Sequence, residues 1–319
     1  MRIVFFGTPD FAVATLDQLV KAGYPPTAVV TAPDKPAGRG RKLQASAVKQ
    51  YAEQHDMEIF QPPNLKDLDF LHHLRSLEAE LFIVVAFRML PEVVWNMPPM
   101  GTVNLHASLL PAYRGAAPIQ WAIMQGEPET GVTTFRLCHA IDTGDLLLQR
   151  RTPIGPHENA GSLYQRLMQM GADLVVETVQ GLKGGGLQPR PQPPVPPGKE
   201  APKIKRHHGQ IDWTRDALEV HNQIRGLSPK PGAFTHFEGM TVKMLKSTYG
   251  MEAPSLDRAG EAKAGFFFWE EKSLRIRCGK GTLMPLMVQL EGRKAMDLEA
   301  LYNGRLLNSG QFTWKAIEA

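Results

Sequence analysis

Seven of the fourteen residues from 189 to 202 are proline, and Gly184, Gly185 and Gly186 stand just before them. A proline has no N–H to donate and its ring clashes with the preceding turn, so neither a helix nor a central strand continues through such a stretch. The chain must therefore fold as separate parts on either side of it. We expect a first domain over residues 1–188, a linker over 189–208 and a second domain over 209–319 that folds by itself. The composition of the linker favours extended polyproline geometry, which makes it a semi-rigid spacer rather than a slack tether. Lys199, Lys203, Lys205 and Arg206 make its exit basic.

Short apolar runs at residues 3–6, 28–31, 81–86 and 102–105 alternate with amphipathic stretches at 12–21, 45–54, 68–77 and 119–124. Such β-α alternation predicts an α/β fold with a doubly wound, mostly parallel sheet. The runs at 132–138 and 146–151 lie too close together for a crossover helix and predict an antiparallel pair, with Asp142 in the joining loop. Leu163, Leu167, Met170, Leu174 and Val175 fall at helical spacing, so a long amphipathic helix is expected over 161–182. Beyond 209, a short helix over 215–224 precedes runs at 233–237, 241–246, 265–269, 274–278 and 284–290. These predict a second, smaller domain, an OB-type β-barrel, with a small sandwich as the competing architecture.

With 43% apolar and 21% charged residues, the composition is that of a folded globular protein. The formal net charge of +4 permits an anionic partner without demanding one. No apolar run approaches the roughly 18 residues of a membrane helix, and the first residues are too few in apolar character for a signal peptide. We expect a cytoplasmic protein with no membrane association, and a monomer. Cys138 and Cys278 have no ligand spacing and are expected as reduced residues in apolar strands. His72 with His73 and His207 with His208 cannot face one metal from adjacent positions; both pairs are read as solvent-facing and no metal is expected.

Asn104 and His106 stand two apart on an apolar run, so a strand there turns both side chains to one face. An amide that donates a hydrogen bond, an imidazole that carries a proton and the Asp142 carboxylate that biases the imidazole are suited to acyl-type transfer. They are the parts needed to stabilise a tetrahedral oxyanion while an amine loses its proton. An Asn-x-His pair at a strand end is by itself more often a solvated turn. Gly7 follows the first run and opens a helix, with Thr8 as the expected N-cap and Pro9 at the first helical position. The Gly-x-Gly-x-x-Gly spacing of a dinucleotide site is absent. In open α/β sheets ligands sit outside the carboxyl ends of the strands, where Gly7 and residues 86–90 and 104–106 would gather. The loop at 33–43 carries Lys35, Arg39, Arg41 and Lys42 against Asp34 alone. A basic loop rooted beside that edge suits the phosphates of a nucleic-acid end, because arginine forks match phosphate geometry.

Asn104, His106, Ser108, Leu109, Leu110 and Pro111, with the Arg-Gly-Ala-Ala-Pro-Ile-Gln run that starts at Arg114 and with Asp142-Thr143-Gly144-Asp145, resemble the signature of the folate-dependent formyltransferases. Gly7-Thr8-Pro9-Asp10-Phe11, residues 33–41 and Ile211-Asp212-Trp213 resemble the branch of that family that acts on methionyl-tRNA. The resemblance covers nearly the whole chain. It implies the formyltransferase Rossmann-like fold and transfer of the formyl group of 10-formyltetrahydrofolate to the α-amino group of methionyl initiator tRNA, for bacterial-type translation initiation. It also implies Asn104, His106 and Asp142 as catalytic residues, Ser108, Leu109, Leu110 and Pro111 as folate contacts, and a loop that enters the tRNA acceptor end with Arg39 as its principal residue. Phe87, Met89 and Leu90 suit the flanks of a flat pterin. Arg88 stands where a glycine is usual in the family, and either points outward or pairs with the folate glutamate tail. Lys35, Arg39, Arg41 and Lys42 in the loop, with Lys203, Lys205 and Arg206 at the linker exit, make tRNA the expected partner and folate the expected small molecule.

Overall fold

The computed structural model describes residues 1–37, 42–251, 263–307 and 309–313. Arg39 and Arg41 lie outside the described residues. The chain forms two compact units that interleave in sequence. Met1–Gly115, Thr130–Thr152 and Tyr164–Glu200 make the first; Ala116–Glu129, Pro153–Leu163 and Ala201–Ala319 make the second.

The first unit is built on a seven-stranded sheet in the order Leu146–Pro153, Glu129–Arg136, Thr102–His106, Leu81–Val85, Ile3–Gly7, Ala28–Val30, Glu58–Phe60. The last five run parallel. Thr102–His106 meets Glu129–Arg136 in antiparallel register, with His106 opposite Thr133. The strand Leu146–Pro153 folds back in turn: Arg136 N–H bonds to Asp145 O at 2.9 Å, while Gly131 packs against Arg150 O. The predicted doubly wound, mostly parallel sheet is therefore present with an antiparallel edge. Ile3–Gly7 and Leu81–Val85 are buried at every position because both faces are covered, which is why they read as unbroken apolar runs rather than alternating ones. Val4, Phe6, Phe82 and Val84 pack with Phe70, Leu71 and Leu74 of the helix Leu68–Ser76.

Three local details depart from expectation. The helix Asp10–Lys21 has Pro9, not Thr8, at its N-cap, and Asp10 Oδ1 accepts the Phe11 N–H at 3.0 Å. A residue before proline is held away from helical geometry, and Pro9 contributes only its carbonyl, to Ala12 N–H at 3.0 Å. Lys35–Ala37 and Lys42–Gln44, read as loop, pair as an antiparallel hairpin stem. Residues 189–200 lie along the first unit: Leu146 and Arg190 exchange two main-chain hydrogen bonds of 2.7 and 2.9 Å, and Tyr113 N–H donates to Lys199 O at 2.5 Å.

The second unit holds an antiparallel sheet in the order Ala233–Phe237, Met240–Gly250, Thr282–Leu290, Ser273–Arg277, Phe266–Glu270, Gly310–Gln311. His236 and Thr313 then exchange main-chain bonds of 3.2 and 2.9 Å, so the path returns to its first strand and the sheet nearly closes into a barrel. Closure decides against the sandwich. Trp213, 1% exposed, stacks on Phe312 and donates its indole N–H to Thr235 Oγ1 at 3.0 Å, while Phe312 stacks on Phe267. The helix Pro118–Met124 belongs here rather than with the sheet it follows in sequence. A Cβ on Gly226 would lie 2.6 Å from Met124 Cγ, so only glycine lets the helices Pro118–Met124 and Ala217–Gly226 approach this closely.

Two buried polar residues tie the segment after Thr152 into the same unit. Arg225 Nη1 donates to Gly155 O and Glu158 O at 3.2 and 3.1 Å, and the His221 ring meets Ser247 Oγ at 3.0 Å and Pro156 O at 3.2 Å. These bonds argue against independent folding of 209–319, because a fragment cut there leaves both side chains without their main-chain acceptors. Burial pushes the His221 imidazole down to about 4. Its folded value lies below the unfolded one near 6.5, so its contribution is complete above that pH and is lost as pH falls toward 4. We expect unfolding free energy to fall by about 2 kcal/mol from this group between pH 7 and pH 5. Urea titrations of the wild type and His221→Gln at the two pH values check it; equal pH dependence in both proteins would refute it.

Candidate active site

His106 closes the strand Thr102–His106 at the carboxyl edge of the sheet, where Gly7 and Val85 end their own strands side by side. Leu105 turns to the opposite face: a Cβ on Gly171 of the helix Ala160–Lys183 would lie 2.7 Å from its Cδ2. Asn104 and His106 therefore share the other face, with Asn104 in register with Val84 and Phe135. Asn104 is half-buried and His106 is 6% exposed.

The imidazole lies between two groups that only accept hydrogen bonds. Its Nε2 lies 2.8 Å from Tyr113 O, so that nitrogen carries the hydrogen of the bond, and its Nδ1 faces Asp142 Oδ2 at 3.8 Å. The same carboxylate oxygen accepts Gly115 N–H at 3.0 Å. Asp142 reaches this position from the loop between the two antiparallel strands, with its backbone in the left-handed region at φ 54°. Tyr113 is also left-handed, at φ 61°. Gly144 allows the loop to close, since a Cβ there would sit 1.7 Å from Arg136 O.

A residue from the proline-rich stretch completes the loop. Gln192 Nε2 donates to Asp142 O at 3.0 Å and to Gly144 O at 2.7 Å, while its Oε1 accepts Arg114 Nε at 3.2 Å and Nη2 at 2.6 Å. Sequence reasoning passed over it, because a proline-rich segment advertises only the absence of regular structure. The one available signal was a lone amide side chain between Pro191 and Pro193.

The segment 107–113 is pinned to the neighbouring strand. Thr133 Oγ1 donates to Ser108 O at 2.6 Å and accepts Leu110 N–H at 3.2 Å, Gln149 Nε2 donates to Leu110 O at 2.8 Å, and the Ser108 hydroxyl is spent on Ala112 O at 2.7 Å. Ser108 and Leu110 are buried; Leu109 and Pro111 are half-buried. Beyond Val85, Phe87 is half-buried against Phe6, Leu90 is buried, and Met89 is 72% exposed. Arg88 donates to Pro62 O and, at 2.9 Å, to Pro63 O, and its guanidinium lies 5.7 Å from the Phe87 ring centre.

At the root of the basic loop, Lys49 pairs with Asp34 at 2.7 Å, and its hydrogen bond holds the Asp34 carboxyl below the usual range. Lys35 is exposed. In the second unit Lys203, Lys205 and Arg206 are exposed, and Lys205, Arg206, Lys243 and Phe234 line a cavity of about 280 Å³. Two smaller readings change. Cys138 is exposed in the loop before Asp142, where its Sγ meets Thr143 Oγ1 at 3.1 Å, because the strand ends at Arg136. His208 is half-buried, with its ring 5.2 Å from that of Trp121 and its Nδ1 accepting Lys205 N–H at 2.9 Å. Among the described residues no three His, Cys, Asp or Glu side chains gather as a metal site, and no helix is long and apolar enough to cross a membrane.

The formyl transferase family matches residues 1–179 and its C-terminal domain matches residues 203–306. A methionyl-tRNA formyltransferase of Porphyromonas gingivalis is 47% identical over 98% of each chain, and one of Flavobacterium johnsoniae is 46% identical over 95% of this chain and 96% of its own. Among solved structures, an N-formyltransferase of Helicobacter canadensis, in a complex with folinic acid and dTDP-3-aminofucose, is similar with a TM-score of 0.65 and 20% identity, covering 89% of this chain and 98% of that one. That likeness concerns the fold; the sequence relatives reach further, and this chain belongs to the formyl transferase family, in the group of the methionyl-tRNA formyltransferases.

Proposed function

We propose that this chain transfers the formyl group of 10-formyltetrahydrofolate to the α-amino group of methionine carried on initiator tRNA, in the cytoplasm. The observation that carries the reading is the meeting of His106 with Asp142, on the strand face shared by Asn104, in a chain that resembles methionyl-tRNA formyltransferases over nearly its whole length. Incubating the protein with formyltetrahydrofolate and methionyl initiator tRNA should yield formylmethionine; its absence would overturn the reading.

In this reading Asn104 donates a hydrogen bond to the formyl oxygen as that oxygen gains charge. His106 takes the proton that the amine loses when its nitrogen bonds to the formyl carbon, and returns it to the folate nitrogen from which that carbon departs. Asp142 steadies the imidazolium that exists between the two transfers. We assign the folate to Ser108, Leu109, Leu110, Pro111 and the stretch Phe87, Arg88, Met89 and Leu90. The exposed Met89 side chain and the anchored 108–111 segment support that assignment, as does the folinic acid named with the Helicobacter canadensis neighbour. Arg88 keeps its guanidinium on neutral carbonyls, which favours a role in shaping the rim over one in pairing with a glutamate tail. We assign tRNA contact to Lys35, Arg39, Arg41 and Lys42 and to Lys203, Lys205 and Arg206. Residues 1–188 then carry the chemistry, 189–208 join the parts and 209–319 add to the grip on tRNA.

His106→Ala should slow formyl transfer roughly a hundredfold to a thousandfold with little change in tRNA binding, because proton transfer and charge stabilisation are lost but little surface is. Combining it with Asp142→Ala should cost far less than the product of the single losses, since the two groups act as a unit. Single-turnover formylation rates decide this, and wild-type rates in His106→Ala would sink the assignment.

Arg39→Ala should raise the tRNA concentration needed for half-maximal rate and leave folate binding unchanged. Arg39 stands between Gly38 and Gly40, and an arginine fork makes charge-assisted contacts that lysine reproduces only as a point charge. Arg39→Lys should therefore rescue only in part. Diffuse attraction would instead make Arg39→Ala, Arg41→Ala and Lys42→Ala equal in effect and equally sensitive to salt, and that result would remove the special place of Arg39.

A further inference from the structure

Gln192 is the only contact outside the 137–145 loop, among the described hydrogen bonds, that holds the main-chain carbonyls of both Asp142 and Gly144. We propose that Gln192 is the positioning residue of the Asp142 carboxylate: it fixes the loop in the one backbone arrangement that turns the carboxylate toward His106. The proposal rests on the reading of His106 and Asp142 as the pair that handles the proton.

The chemistry of the three partners leaves room for one residue type. Arginine has donors only and a main-chain carbonyl accepts only, so the group between Arg114 and the loop must accept on one side and donate on the other. A carboxamide does both, and its orientation is thereby set, with Oε1 toward Arg114 and the NH2 toward the two carbonyls. Glutamate would satisfy Arg114 but set an oxygen against Asp142 O and Gly144 O. Lysine would serve the carbonyls and repel the guanidinium. Asparagine is one methylene too short to span the same distance.

The placement of the two carbonyls gives the contact its leverage. They belong to the Asp142–Thr143 and Gly144–Asp145 peptides, so holding both keeps the backbone before Thr143 and after Gly144 from turning independently. Asp142 occupies the left-handed region, at φ 54°, which is unfavourable for a non-glycine residue and persists only where neighbours enforce it. The bond from Thr143 Oγ1 to Ala140 O at 3.0 Å is local and would move with the loop, while the Gly115 amide grips the Asp142 side chain and leaves its main chain to Gln192. Gln192 is held from outside: Pro191 and Pro193 restrict the backbone on both sides, and Arg190 is bonded to Leu146. The proline-rich segment thus contributes a working part to the first unit, to which it belongs.

The test uses the full chain with Gln192→Met, which keeps the volume and removes both polar functions, and Gln192→Glu, which keeps the bond to Arg114 and removes only the donors. Both should lower kcat roughly ten- to a hundredfold, as misplacement of a reacting group does. KM for methionyl-tRNA should stay within about twofold, since binding surface is unchanged. Hydrogen exchange at the Gly115 amide, which donates to Asp142 Oδ2, should quicken in both variants toward the rate in Asp142→Ala. Adding Asp142→Ala to either variant should lower kcat little further. A residue that merely docked the proline-rich segment would leave Gln192→Glu near wild type, and that outcome, or unchanged Gly115 exchange in both variants, overturns the proposal. Faster exchange in a chain whose wild type forms no formylmethionine would overturn the functional reading instead and leave the positioning role standing.

Discussion

One carboxylate oxygen, Oδ2 of Asp142, serves both a main-chain amide at 3.0 Å and an imidazole nitrogen at 3.8 Å, and the arrangement of the first unit follows from keeping it there. A half-buried carboxylate is costly unless its charge meets hydrogen-bond donors. Gly115 N–H supplies one such donor at 3.0 Å, and the His106 ring stands 3.8 Å from the same oxygen, near enough to feel its charge without a hydrogen bond to it. Each of those groups is delivered by a different piece of chain. His106 is fixed by the end of a central strand, Gly115 by the segment that leaves that strand, and Asp142 by the loop of the antiparallel edge. The sheet makes the meeting reproducible because registers such as His106 opposite Thr133 leave no freedom to slip by one residue without turning every side chain to the wrong face.

What the sequence announced and what it concealed divide along the range of the interactions. The parallel strands were legible because residues 3–6 and 81–86 are unbroken apolar runs of strand length, and burial on both faces demands that pattern. Asn104 and His106 were legible as a pair because a two-residue spacing has one meaning on a strand. Asp142 could be placed in a loop because the flanking runs are too close for anything but a hairpin. In contrast, nothing local marks the helix Pro118–Met124 as part of the second unit, since its partner glycine lies about a hundred residues on, at Gly226. The same holds for Arg225 and His221, whose acceptors Gly155, Glu158 and Pro156 come from a segment that sequence order assigns to the first domain. Composition suggested a spacer at 189–202, and the prolines do keep it extended. They could not reveal that its one glutamine has four hydrogen bonds to make.

The barrel shows the same division in another form. Five short runs with glycine turns narrowed the second domain to a barrel or a sandwich, and the choice was settled by a main-chain exchange between His236 and Thr313, residues with no pattern in common. Pairing of the last strand with the first removes the exposed edges that an open sheet must protect. Trp213 then fills the interior from outside the strands, which explains why an isolated tryptophan after Ile211 and Asp212 is 1% exposed.

Five described non-glycine residues of the first unit are left-handed, and two of them stand where the candidate chemistry lies. Tyr113 and Asp142 are both left-handed non-glycine residues, and both border His106. The polar main-chain groups of Tyr113 are both engaged, N–H to Lys199 O and C=O to the imidazole, and the carbonyl of Asp142 is engaged by Gln192. Such conformations persist only where the surroundings over-determine them. Here the surroundings are hydrogen bonds drawn from the proline-rich segment 189–200 on one side and from the central sheet on the other. Strain held in this way keeps a loop from relaxing into the many conformations open to a short hairpin turn, and that rigidity is what lets a carboxylate carried on a loop act on an imidazole carried on a strand.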